Sequence, residues 1–197
     1  MLIFGIIVIV TFSFAQDPFS NRANEASMGL LWVTVWLAGT LGVNRTFSAE
    51  TESRALDAIL ISPISRPALY FGKLISLFLT LAATELMLLP LFMVVFNRPF
   101  LRPAVIGILL LGTLGYVAAG VFVGSMAVQT RASYLLIPIL MLPLTLPIVL
   151  AAAVASAEVI QPVPNWEAAT PRLLYVLIYD LLMLVIGYLF YNYVVEE

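Results

Sequence analysis

Residues Asn44 to Lys73 read NRTFSAETESRALDAILISPISRPALYFGK, the one long polar interruption between strongly apolar runs. Arg45, Arg54, Arg66 and Lys73, four of the nine basic residues, fall inside it. Within it, Ser48 to Ser62 has the pattern of a short amphipathic helix. Ser48 is placed to cap it, and Glu50 and Glu52 fall in its first turn, where negative charge suits the helix dipole. Glu50 and Arg54 stand four apart in the favourable order, worth about 0.2–0.5 kcal/mol. Leu56, Ile59 and Leu60 form an apolar stripe beside Ala55, with Asp57 on the polar side. Pro63 ends the helix, because it cannot donate to the ladder and it biases Ser62 away from helical geometry. Pro67 makes Ser62–Pro67 a stiff elbow, and Gly72-Lys73 leads into the next apolar run.

Outward from this stretch the chain is greasy. Of its 197 residues, 62% are hydrophobic and 10% charged, with a mean hydropathy of +1.08. Soluble domains run nearer half apolar and a quarter charged. So much apolar surface cannot be hidden in a water-soluble core, and the expected fold is an all-α integral membrane protein. The net charge of −2 says little about partners and gives no sign of nucleic-acid binding. With no Cys and no His, disulfides, thiolate nucleophiles, Cys metal sites and the commonest general base and haem ligand are excluded.

Six apolar runs predict six transmembrane helices, at 2–15, 28–43, 74–96, 104–128, 134–155 and 172–191, in a single domain over 1–197. The first spans roughly 21 Å, short of the roughly 30 Å hydrocarbon core. No basic residue precedes it and Phe12–Ala15 is a poor cleavage site, so it is read as a membrane helix, with a signal peptide as the alternative. Trp32 and Trp36 share one face of the second helix, and Trp166 suits a membrane interface. Counting Lys and Arg places residues 44–73 in the cytoplasm by five against four, a narrow margin carried by this one stretch.

The stretch therefore has two readings. One is a helix floating passively at the interface. The other is a coupling segment that takes a push from a docked protein. The acidic first half does not attract anionic lipid, and the elbow is too rich in proline for a slack linker.

Inside the membrane, Glu85 and Asp180 are carboxylates with no Lys or Arg at similar depth, and a charged one costs at least roughly 2.5 kcal/mol there. They are expected to be protonated or hydrogen-bonded to Thr84, Tyr175, Tyr179 or a partner subunit. They act either at an interface or gate, or as satisfied buried acids. Aspartyl protease chemistry needs a second aspartate in a G-x-G-D setting, which the chain lacks. Gly120-x-x-x-Gly124 permits close helix approach. Pro138, Pro143 and Pro147 are expected to break successive turns of the fifth helix and kink it.

Glu50 through Lys73, with Ala55-Leu56-Asp57, Ile59-Leu60, Ser62-Pro63 and Gly72-Lys73, resembles the first cytoplasmic loop of the haem exporter protein B (CcmB) family. The stretch Gly120–Ala153, GVFVGSMAVQTRASYLLIPILMLPLTLPIVLAAA, resembles the same family, with its Gly-rich helix, the Arg131 turn and Leu142-Pro143…Leu146-Pro147. The resemblance covers nearly the whole chain. It departs at the N-terminus, where the family has a basic interfacial segment and Met1 here starts inside the first helix; a truncated or late start is the expected cause.

The resemblance implies an ABC-2-type permease architecture with a cytoplasmic coupling helix between helices 2 and 3. It implies a bacterial inner-membrane subunit, in two copies, working with a CcmA-like ATPase and CcmC-like and CcmD-like membrane subunits in cytochrome c biogenesis. The implied output is haem delivery to a periplasmic haem chaperone, or release of the loaded chaperone. Glu50, Glu52, Leu56, Asp57, Ile59 and Leu60 would then meet the ATPase, Ser62, Pro63 and the residues to Pro67 would act as a lever, and Arg66 would pair with an ATPase acid. Independently, the chain has no G-x-x-x-x-G-K-[ST] loop, so any ATP is hydrolysed elsewhere. No cofactor is expected on this chain alone, with haem as cargo. The alternatives are an ABC-2 permease for a lipid-linked glycan or drug, and a non-transporting scaffold.

Overall fold

The computed structural model describes residues 1–15, 21–53, 65–127, 130 and 133–196, with their side chains outside 15, 21–25, 50–53, 133–134 and 192–196. These residues form six helices: α1 (Leu2–Ala15), α2 (Asn21–Ser53), α3 (Arg66–Phe96), α4 (Pro103–Ala127), α5 (Ser133–Val159) and α6 (Trp166–Glu196). Five are long and apolar enough to cross a membrane, and α1 is a shorter apolar helix. The chain is thus an all-helical, multi-pass membrane protein.

Several helices outrun their apolar cores. The second was expected over 28–43, yet α2 runs Asn21–Ser53. Polar residues do not by themselves stop a helix, and nothing between Asn44 and Ser53 is a Gly or Pro that would. Ser48 is consequently no N-cap: it lies inside α2, its Oγ donating to Asn44 Oδ1 at 3.5 Å. The third was expected from Leu74 and begins at Arg66, with Pro67 in its first turn, where a missing N–H costs nothing. Pro67 is therefore helical, not part of an elbow, and Gly72-Lys73 lies within α3.

The sixth starts at Trp166 instead of Arg172 because Asn165 caps it, its Oδ1 accepting from the Ala168 N–H at 3.3 Å. Pro171 is accommodated inside. α5 runs from Ser133 to Val159 with Pro138, Pro143 and Pro147 inside it, each without the backbone N–H its turn would use. Neighbouring groups can take up carbonyls that prolines disturb. Here the Tyr179 hydroxyl of α6 donates to the Leu144 carbonyl at 2.8 Å.

α4 is the axis. It touches α2, α3, α5 and α6, whereas α1 reaches only α2 and α3 among the described elements. In their most apolar stretches α4 is 67% buried within the chain and α6 22%, so α6 leaves most of its surface outside the bundle. Lipid tails are as apolar as leucine, and close packing through small residues has to hold such a bundle. α4 supplies them. Gly112 takes the Trp32 ring and Ala152, Gly120 takes Val43 and Met141, and Gly124 takes the Phe47 ring. Hydroxyls add cross-ties: Trp32 Nε1–H donates to Ser156 Oγ at 3.1 Å and Trp36 Nε1–H to Thr145 Oγ1 at 2.9 Å. Tyr116 OH donates to the Trp36 carbonyl at 3.0 Å and lies 2.8 Å from Thr40 Oγ1.

Candidate functional site

The candidate site is the end of the bundle where the connection between α2 and α3 leaves and returns. α2 reaches Ser53 and α3 begins at Arg66 after Ser65, with residues 54–64 between them in the sequence. Leu56, Asp57, Ile59, Leu60, Ser62 and Pro63 lie outside the described residues, as do Arg54 and Arg131. Glu50 and Glu52 stand in the last turn of α2, with side chains outside the description. Arg66 is the first residue of α3.

Both helical ends are fastened to the rest of the bundle. On the α2 side, Phe47 is 1% exposed and fills the notch at Gly124, where a Cβ would overlap its ring. Lys73 of α3 holds its Nζ 4.7 Å from the centre of the same ring, a cation–π contact tying α3 to α2. On the α3 side, Tyr70 is 0% exposed. Its hydroxyl lies 3.2 Å from the Ala118 carbonyl oxygen of α4 and 3.3 Å from that of Met183 on α6. Gly187 leaves room for the ring, since a Cβ there would overlap it. Tyr191 sits beside it, with ring centroids 5.4 Å apart, and accepts a hydrogen bond from Ser125 Oγ at 3.2 Å. Tyr70 thus ties α3 to α4 and α6 about one turn after α3 begins.

Sequence reasoning passed over Phe47, Tyr70 and Tyr191. The available signal was a large aromatic in a polar stretch facing glycines in later helices, and nothing local pairs them.

The two intramembrane acids belong to a different layer. Glu85 is 2% exposed and accepts from Thr113 Oγ1 at 2.5 Å, while its Oε2 has no hydrogen-bond partner among the described residues. Neither Thr84 nor Tyr179 serves as the partner: Thr84 Oγ1 donates to the Thr80 carbonyl and Tyr179 OH to that of Leu144. Adjacent helical residues diverge around the axis, so Thr84 cannot face the group Glu85 faces. Asp180, 4% exposed, rests its carboxyl on Gly115 beside Ile148, and neither oxygen has a described partner. The acids therefore bracket α4 from α3 and α6.

An expected result follows for this layer. Glu85→Ala strands nothing that Thr113 cannot satisfy locally, but it empties a buried site and lowers stability by about 1–3 kcal/mol. Asp180→Asn keeps the shape and stays within about 1 kcal/mol of the parent. Thermal unfolding of the detergent-purified variants checks both.

No group of three or more His, Cys, Asp or Glu among the described residues could hold a metal ion.

These features define a multi-pass helical membrane protein whose central glycine-lined span is locked to the helices flanking one long polar connection. Residues 1–186 match the family described as "CcmB protein", and the chain belongs to that family. It is 30% identical over 149 residues to a Rhodobacter capsulatus protein named Heme exporter protein B, covering 74% of this chain and 67% of that one. Proteins of the same name are 28% identical over 165 residues in Pseudomonas aeruginosa and 26% over 160 in Bradyrhizobium diazoefficiens. Those matches cover 83% and 81% of this chain, and 74% and 72% of the relatives.

Proposed function

We propose that this chain is the permease subunit of a haem exporter in the bacterial cytoplasmic membrane. In this reading a separate CcmA-like ATPase docks on residues 44–73, and its closure drives rearrangement of the spans. The work delivers haem to a periplasmic chaperone or releases the loaded chaperone, in an assembly with CcmC-like and CcmD-like subunits and two copies of this chain. Family membership and the name shared by the relatives support the cargo. The coupling role rests on one observation, the anchoring of the flanking helices through Phe47 at Gly124 and through Tyr70 between the Ala118 and Met183 carbonyls. A push on a slack loop dissipates, whereas a push on these helices reaches α4 and α6.

The chain has no Cys, so Asp57→Cys introduces a unique thiol. A bifunctional reagent at that thiol is expected to crosslink the co-purifying ATPase, with a yield that changes on adding nucleotide. A membrane-impermeant maleimide is expected to label it only from the cytoplasmic face. Labelling from the periplasmic face inverts the topology and overturns the proposal.

A further inference from the structure

We infer that the opposite end of the bundle carries a binding site for one anionic phospholipid, its phosphate between Arg98 and Arg102 and an acyl chain in the groove between α4 and α6. α3 is capped by Asn97, held in the left-handed conformation (φ 49°, ψ 45°), and the turn is pinned by Phe100, 0% exposed against Phe92 and Phe96. That anchor leaves the two arginines on a cavity of about 250 Å³ shared with Asn97, Pro99, Ile160 and Pro162. Arg102 Nη1 donates to the Gln161 carbonyl at 2.7 Å and lies 3.4 Å from that of Ile160, which fixes the guanidinium while leaving other N–H groups for a ligand. The Arg98 side chain makes no hydrogen bond to a described residue, and no described carboxylate forms an ion pair with either arginine. Glu158, on the neighbouring segment, accepts from Asn165 instead.

Two guanidinium groups at one small cavity, without an ion-pair partner among the described residues, call for an oxyanion. The cavity is smaller than the roughly 300 Å³ at which pockets begin to enclose whole ligands, so it suits a headgroup and not a macrocycle. It lies between the end of one span and the start of the next, the depth of lipid phosphates, with the half-exposed Trp166 on the same side.

Two residues beyond Arg102, Ala104 opens a second cavity of about 400 Å³, running along Gly107 and Leu111 of α4 and Trp166, Leu174 and Leu177 of α6. A Cβ on Gly107 would meet nothing within 4 Å, so this groove is open at its floor. From Ala104 to Leu111 it extends about 10 Å into the membrane, at 1.5 Å per residue. A free phosphate would use only the first cavity and an uncharged lipid only the second. An anionic phospholipid uses both, and a headgroup carrying an ammonium would set that charge against the arginines.

Native mass spectrometry of the detergent-purified chain, titrated with phosphatidylglycerol or phosphatidylethanolamine, tests the site. One phosphatidylglycerol is expected to survive collision energies that strip phosphatidylethanolamine. Arg98→Ala, which breaks no hydrogen bond within the described protein, lowers its retention about tenfold, the loss of one charge-assisted contact. Gly107→Leu fills the groove and lowers retention comparably, while both variants keep the parent elution volume on gel filtration. Equal retention of the two lipids, or retention unchanged in both variants, overturns the inference. Displacement of the lipid by inorganic phosphate alone, equally in the parent and in Gly107→Leu, reduces the site to an anion pocket and overturns it too.

Discussion

Gly124→Leu is expected to abolish accumulation of the folded protein, and Phe47→Ala in the same chain to restore a substantial part of it. The Phe47 ring occupies the volume that a side chain at Gly124 would need, so even a Cβ overlaps it. Phe47 has little room to yield, because the Lys73 Nζ lies over its ring and it is 1% exposed. Overpacking a well-filled contact typically costs 1–3 kcal/mol, and a leucine at a backbone-to-ring approach exceeds about the upper value. Helix association in lipid has no hydrophobic surplus to absorb that, since separated helices are already in an apolar solvent. The double variant removes the obstruction and exchanges ring volume for leucine volume across one contact. Two sites in contact couple, so the pair is non-additive, and its recovery separates a local clash from general intolerance at position 124. Monodisperse yield on gel filtration and the unfolding midpoint measure it. Equal loss in single and double variants would mean that α2 and α4 do not meet here.

Tyr70 gives the second large effect, and its two substitutions divide stability from transmission. Tyr70→Ala removes a fully buried ring packed over Gly187 and beside Tyr191, and is expected to cost about 3–5 kcal/mol, the range for large-to-small aromatic changes in packed interiors. Tyr70→Phe keeps the ring and deletes only the hydroxyl that meets the Ala118 and Met183 carbonyls. Those carbonyls can already bond within their own helices, so Tyr70→Phe costs only about 0.5–1.5 kcal/mol and folds. If the connection drives α4 and α6 through this rivet, Tyr70→Phe assembles with the ATPase normally yet lowers cytochrome c maturation in cells. Normal maturation with normal assembly would show that the hydroxyl carries no motion.

The sequence was legible wherever the physics is local. Runs of apolar residues announce lipid-facing helices regardless of their neighbours, and the low charge content and absent Cys and His closed off most site chemistry. Helix ends were less legible. Hydropathy reports the part of a helix immersed in hydrocarbon, and α2 and α3 continue past it into stretches that carry charged and polar residues. α6 began early because a single side-chain oxygen on Asn165 outweighed the breaker at Pro171. Glu85 was visible as an anomaly, but its partner Thr113 lies on another helix, and the adjacent Thr84 was the natural wrong guess.

Composition and periodicity alone determined that the chain crosses a membrane repeatedly, that α4 is rich in small residues and that one polar connection is conspicuous. Only the tertiary structure decided that Phe47 seats in Gly124, that Tyr70 bridges Ala118 and Met183, and that Arg98 and Arg102 share a cavity. Segment character is additive along the chain, so it can be read residue by residue. Partnership between helices is set by complementary volume and hydrogen-bond geometry across scores of intervening residues, and those exist only once the helices have packed.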